Sequence, residues 1–262
     1  MGLRIPSSTK PDATRRILNV TRERAKWRYV GFEVVRLAAG QSIERDTRDR
    51  EACLVWLSGR AAVSAGGERW DVGGRASPFD GPPDAVYAAP GTRLRLRALD
   101  GCDVAIGWAP AERGATTRRL EGARVELRGE GVMQRTIHQI LMEDREAERL
   151  LVTEVLTPAG HWSSFPPHKH DTDAPPDESY LEETYYFRMR DPRAFAFQRV
   201  YTADRSLDES VAARDGDLVL VPRGYHTVAA PPGYETYYLN VMAGPRREWK
   251  ITFDPDHERM RW

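Results

Sequence analysis

Apolar residues along the chain come in short runs, rich in Val, Tyr, Phe, Leu and Trp, and glycine or proline separates most of them. The clearest runs cover residues 32–37, 53–57, 93–99, 150–156, 194–201, 218–221 and 236–242. Runs this short, bounded by turn formers, predict many short strands rather than long helices. One stretch departs from that texture. Ile137, Ile140 and Leu141 in QRTIHQILMED follow i, i+3, i+4 spacing, which predicts a short helix connecting two halves of the chain.

The halves echo each other. LAAGQSIERD at 37–46 resembles LTPAGHWSSF at 156–165, and the corner Tyr87-Ala-Ala-Pro90-Gly91 parallels Val219-Leu-Val-Pro222-Arg-Gly224. Each corner leads into a strand and a second proline, in GWAPA (107–111) and VMAGP (241–245). Such duplication of an all-β unit predicts two β-barrels in tandem. The charged stretch RGATTRRLEGARVELRGE holds the boundary, giving barrels over 1–122 and 123–262.

Composition narrows the function. The chain has 262 residues, 40% of them hydrophobic, which suits two packed domains. Lys and Arg total 39, as do Asp and Glu, so no basic excess invites nucleic acid. No apolar run approaches the roughly 18 residues of a membrane span, and the first residues lack a signal-peptide core. These features predict a cytoplasmic protein with no membrane or nucleic-acid partner. Cys53 and Cys102 lack CxxC spacing and read as reduced core thiols.

The chemistry concentrates in the second half, in Pro166-Pro-His168-Lys-His170-Asp171, then Leu181-Glu-Glu183-Thr-Tyr185, then Val221-Pro222-Arg-Gly224-Tyr-His226. On a strand, residues i and i+2 share a face, so His168 and His170 project together. A carboxylate and a third imidazole from neighbouring strands complete a nitrogen/oxygen site for one divalent transition metal. Zinc and manganese head the candidates, with iron and nickel behind them. The first half contains no histidine and serves as scaffold.

HxH, a strand glutamate and a glycine-to-Pro-x-Gly corner followed by His resemble the two signatures of the cupin superfamily. His226 stands one position early, and twelve residues separate His170 from Glu183 where cupins usually have three or four. The insertion DTDAPPDESY predicts a loop over the barrel mouth. With this insertion, SSFPPHKHDTD, DESYLEETYYFR, FQRVYTADRSLDE, GDLVLVPRGYHTV, YYLNVMAGP and PFDGPPDAVYAAPG resemble the 5-deoxy-glucuronate isomerase family of inositol catabolism over most of the chain. The resemblance implies a bicupin: two jelly-roll-like barrels, the second bearing the active site. Cupin ligand glutamates usually precede x-Tyr/Phe, which selects Glu183 over Glu182 as the fourth ligand. His138 falls on the presumed helix, His161 reads as solvent-facing, and His257 has no assignable partner.

The resemblance also implies conversion of 5-deoxy-glucuronate to 2-deoxy-5-keto-gluconate. Such an aldose–ketose isomerisation runs through an enediol(ate), with a Lewis acid at the oxygens and a base carrying the proton. Glu182, Lys169 and Tyr185 are the leading proton carriers, with Asp171, Tyr201 and Tyr238 behind them. The substrate's carboxylate calls for a guanidinium, from Arg199 or Arg223, with Tyr201 and Tyr238 as further substrate contacts. A homo-oligomer is expected. The rivals are a 5-keto-uronate isomerase of pectin breakdown, an iron(II) cupin dioxygenase and a non-catalytic sugar-acid-binding cupin.

Overall fold

The structure, a computed structural model, describes residues 2–261. It is almost wholly β: one four-residue helix, Arg22–Ala25, and two short 3-10 turns accompany the strands. The chain forms two compact units. One comprises residues 7–124 and 138–152, the other residues 2–6, 125–137 and 153–261.

In the first unit a six-stranded sheet runs in the order Arg118–Leu120, Ala85–Ala88, Arg50–Ser58, Cys102–Pro110, Gly31–Leu37 and Arg16–Val20. A four-stranded sheet of Ser42–Asp46, Arg93–Ala98, Arg60–Ala65 and Glu68–Gly73 packs with it on one apolar core. The sequence RLRLRA explains how a strand joins that core. Leu94, Leu96 and Ala98 are buried while Arg93, Arg95 and Arg97 face water, the period of two that a half-buried strand requires. The Arg50–Ser58 strand is apolar on both faces and buried almost throughout.

The second unit follows the same plan. Its larger sheet begins Arg4–Ile5, Leu218–Val221, Glu182–Met189, Thr236–Ala243, and is completed by Leu151–Thr157, Arg135–Leu141 and Arg124–Arg128. The smaller sheet orders Asp208–Arg214, Phe195–Tyr201, Tyr225–Ala229, Trp162–Lys169 and Thr252–Phe253. Side chains from both sheets share one core cluster, including Tyr185, Phe187, Val200, Val228 and Tyr238. The two expected jelly-roll-like barrels are these units.

The connecting helix is absent, and a strand, Arg135–Leu141, stands in its place. All of that strand except Thr136 is buried. With both faces covered, the burial pattern no longer distinguishes helix from strand, and the β-branched Thr136, Ile137 and Ile140 favour the extended form. The cut at 122/123 also divides the chain differently from the contact-defined units. Residues 2–6 join the second unit, where Arg4 pairs with Val219 and Ile5 with Leu218. Residues 138–152 join the first, where backbone N–H groups of Glu148, Arg149 and Leu150 donate to the buried Glu51 carboxylate.

Candidate metal centre

Two strands of the smaller sheet and one of the larger bring the chemistry together. His168 lies on Trp162–Lys169 and pairs directly with His226 on Tyr225–Ala229. His170 follows two residues later on the same face. Between Ser163 and His168 the register against Tyr225–Ala229 shifts, a bulge that re-aims the end of the strand. Opposite, Glu183 opens the inward row of Glu182–Met189, a row continued by Tyr185, Phe187 and Met189 of the core. Glu182 points to the other face by the same alternation.

All four side chains are buried. The ligand atoms of His168, His170 and His226 lie within 4.8 Å of one another. Glu183 Oε2 is 3.0 Å from His170 Nε2 and 3.1 Å from His226 Nε2. The outward nitrogens face main-chain carbonyls: His170 Nδ1 is 3.0 Å from Leu181 O, and His226 Nδ1 is 3.2 Å from Gly224 O. Carbonyls at Nδ1 fix the ring orientation and leave Nε2 for a metal. A divalent transition ion fits this donor set of three imidazoles and a carboxylate. His226 Nε2 is buried and, though near Glu183, is not aligned for a hydrogen bond, which is the state of a nitrogen awaiting a ligand.

The electrostatics agree with a cation site. Burial pushes the Glu183 carboxyl up, but the hydrogen bond with His170 and the closeness of the His226 imidazole outweigh it and hold the pKa at about 2. Burial, then the neighbouring His226 and His170, lower His168 well below the usual imidazole range. His170 is also depressed by burial, yet its bond to Glu183 leaves it raised overall. A compact set of imidazoles around one ionised carboxylate favours a bound cation over bound protons.

Around this cluster the insertion is tied down. Lys169 Nζ is 2.7 Å from Asp171 Oδ1 and 2.8 Å from each oxygen of the buried Glu178. Glu178 also accepts from the Asp171 and Thr172 N–H groups. Asp171 Oδ2 accepts from Gly224 N at 2.8 Å, joining the HxH segment to the Pro-x-Gly corner. Gly224 has φ +90°, and a Cβ there would stand 2.4 Å from Tyr201 O, so only glycine fits.

Of the residues expected for proton transfer and substrate contact, Tyr185 and Tyr238 reach the site. Their rings are 4.9 Å apart, and Tyr185 lies 5.7 Å from His226. Ser164 Oγ bridges them, 3.1 Å from the Tyr185 hydroxyl and 3.4 Å from that of Tyr238, which also meets Ser163 Oγ. The others point elsewhere. Lys169 alternates out of the histidine face, and although burial opposes it, its bonds to Asp171 and Glu178 keep the ammonium pKa raised. Arg199 forms a two-pronged pair with Asp208 and stacks 4.3 Å over Tyr201. Tyr201 donates to Asp254 at 2.5 Å on the outward face of its strand. Arg223 is exposed and bonds to Ser206.

Sequence reasoning missed Arg135, which sits on the strand mistaken for a helix. It is buried, and burial pulls its pKa down to about 10, while the strongest charge coupling is to Tyr238. Ser163 and Ser164 were visible only as polar residues in GHWSS. His138 is buried on a strand rather than a helix's polar face, and His161 Nδ1 meets Gln134 O at 2.8 Å. Cys53 and Cys102 are free and buried, and burial pushes Cys102 up to about 12.

Comparison with known proteins gives a consistent picture. The KduI/IolB family model matches residues 4–260. A 5-deoxy-glucuronate isomerase of Geobacillus kaustophilus is 49% identical, covering 97% of this chain and 93% of its own. One from Bacillus subtilis strain 168 is 41% identical, with 98% and 97% covered. Among solved structures, an IolB-like protein from Salmonella typhimurium LT2 superposes with a TM-score of 0.96 at 42% identity, over 99% of both chains. Oxalate decarboxylase from Lactobacillus farciminis matches with a TM-score of 0.68 at 12% identity, over 97% of this chain and 88% of that one, a likeness of fold.

Proposed function

The chain belongs to the KduI/IolB family, and on that premise we propose that it isomerises 5-deoxy-glucuronate to 2-deoxy-5-keto-gluconate at the His168, His170, Glu183 and His226 cluster. The observation that carries this reading is the convergence of three buried imidazoles and one carboxylate inside the second barrel. These four residues would hold a divalent metal, zinc or manganese first among the candidates, which would supply Lewis acidity to the reacting substrate oxygens.

The protein's own groups do the rest. A general base takes the C2 hydrogen as a proton while Tyr185 protonates the C1 oxygen, giving the C1–C2 enediol; the base then returns its proton to C1 while the C2 hydroxyl gives its proton back to Tyr185 and becomes the ketone. Tyr185 is a hydroxyl donor beside the cluster, its ring 5.7 Å from that of His226. Burial, then the Glu183 charge, push its pKa well above the usual phenol range, so it holds its proton at neutral pH and donates to oxygen. Ser164 and Tyr238 extend this hydroxyl chain. Arg135, buried and coupled to Tyr238, receives the substrate carboxylate. Arg135, whose Nη1 donates to Met133 O, takes this role in place of Arg199, which pairs with Asp208 on the outward face of its strand, and of Arg223, which is exposed. A homo-oligomer and a cytoplasmic setting belong to the same proposal.

The test is direct. Metal-loaded protein, kept free of oxygen, is incubated with 5-deoxy-glucuronate and with a 5-keto uronate, and the carbonyl species are followed by NMR. Conversion of the first substrate to its ketone without oxygen supports the reading. Turnover that requires oxygen, or of the 5-keto uronate alone, sinks it.

A further inference from the structure

We propose that Gln198 is a substrate-binding residue whose side-chain amide receives secondary hydroxyl groups of the sugar acid inside the second barrel. The inference rests on the isomerase reading above, because it presumes a polyhydroxylated substrate at the histidine cluster.

Gln198 is completely buried, and neither its amide nitrogen nor its amide oxygen has a hydrogen-bond partner. It stands between Ala196 and Val200 on Phe195–Tyr201, and both neighbours belong to the barrel core, so Gln198 shares their inward face. Its cross-strand partners are Val228 and Val211, which offer nothing to bond. On Tyr225–Ala229, Val228 pairs with Gln198 and His226 pairs with Val200. Gln198 therefore lies one pleat from the histidine row on the same face, roughly 7 Å along the strand. The same row continues to Ser163, which pairs with Val228 and bonds to Tyr238.

Buried polar side chains are nearly always paired, and one with every donor and acceptor unfilled needs an explanation. A ligand supplies one. An amide offers two donors and an acceptor, a hydroxyl offers one donor and two lone pairs, and adjacent hydroxyls can engage both ends of the amide. A carboxylate would satisfy only the nitrogen, and a cation only the oxygen. In 5-deoxy-glucuronate the C3 and C4 hydroxyls lie between the carbonyl end and the carboxylate. Gln198 takes that middle stretch, and Arg135 takes the charged end.

The test uses the full-length, metal-loaded protein and Gln198→Met, which keeps length and removes polarity. Steady-state constants are measured for 5-deoxy-glucuronate and for an analogue lacking the 3- and 4-hydroxyls, together with metal content, thermal midpoint and calorimetric affinity for the product. The variant should keep its metal and hold or raise its midpoint, because an unpaired buried amide is removed, while KM and the product dissociation constant rise about 10–100-fold, the loss of one or two neutral hydrogen bonds. The wild-type preference for the hydroxylated substrate should disappear with them. A trapped water or a packing role predicts unchanged KM and unchanged preference, and that result overturns the inference. Should the Met variant not fold, Gln198→Asn draws the amide back by one methylene and must raise KM in the same sense; wild-type KM in it is equally fatal. Wild-type protein inert toward 5-deoxy-glucuronate removes the isomerase reading and this inference together, whereas active wild type with indifferent variants removes this inference alone.

Discussion

In the first unit, Arg93–Ala98 turns Leu94, Leu96 and Ala98 into an apolar core cluster. In the second, Glu182–Met189 turns Glu183, Tyr185 and Phe187 inward by the same alternation. The buried carboxylates of the two units make the contrast concrete. Glu51 accepts from three main-chain N–H groups and from Tyr87 at 2.6 Å, so the protein itself saturates it. Glu183 Oε2 is hydrogen-bonded to His170 alone, His226 Nε2 lies 3.1 Å from it without a hydrogen bond, and elsewhere in the same barrel both Gln198 amide atoms are unpaired. A fully satisfied polar group stabilises a fold, while an unsatisfied one costs about 1–3 kcal/mol. One frame thus serves packing in one copy and chemistry in the other.

Substitutions can break or sharpen this contrast. The largest effect belongs to His168→Ala with His170→Ala, which should abolish metal binding by elemental analysis and lower activity by about 10³-fold or more, since the Lewis acid is lost. Metal retained by that double variant would show that the second barrel has no special interior.

Next come the adjacent glutamates. Glu183→Gln should lose metal, whereas Glu182→Gln, facing the opposite side of the strand, should keep metal with activity changed less than the 10–100-fold typical of a ligand's supporting partner. Metal content of the two purified variants decides it.

Arg135→Met should raise KM for the uronate about 10–100-fold and change kcat less, because a charge-assisted contact to the carboxylate disappears. The matching amide of the substrate, with no carboxylate to bind, should be handled alike by variant and wild type.

The smallest effect on catalysis is expected from Leu54→Ala in the first core. It should cost about 2–5 kcal/mol of stability in denaturant unfolding, yet leave kcat per folded molecule unchanged.

Much of this was legible in the chain. Short apolar runs and the Pro-Gly corners marked the strands, and the HxH, EExY and PxGxH spacings located the four converging side chains. Glu183 was preferred to Glu182 through the resemblance to cupins, whose ligand glutamate precedes x-Tyr/Phe. Three things were hidden. Arg135–Leu141 is buried on both faces, so its apolar spacing mimicked a helix and concealed Arg135. Arg199 and Arg223 looked available because sequence does not reveal that Asp208 and Ser206 hold them. Gln198 gives no signal, since an amide's lack of partners exists only in three dimensions.

The opening residues carry one more consequence, which concerns the order of synthesis. Arg4 bonds to Asp217 across 213 residues, and Leu3 O accepts from Leu220 N. In synthesis this strand is made long before Asp217 and Leu218–Val221, and it waits for them to emerge. The first unit likewise needs residues 138–152, so it closes only after the opening part of the second unit has been made. Domains that fold in turn as they emerge are the usual course; here the two nascent barrels are interlaced in time. The second barrel gains Arg4–Ile5 only when Leu218–Val221 arrives to pair with it, and three of its strands follow still later in the chain.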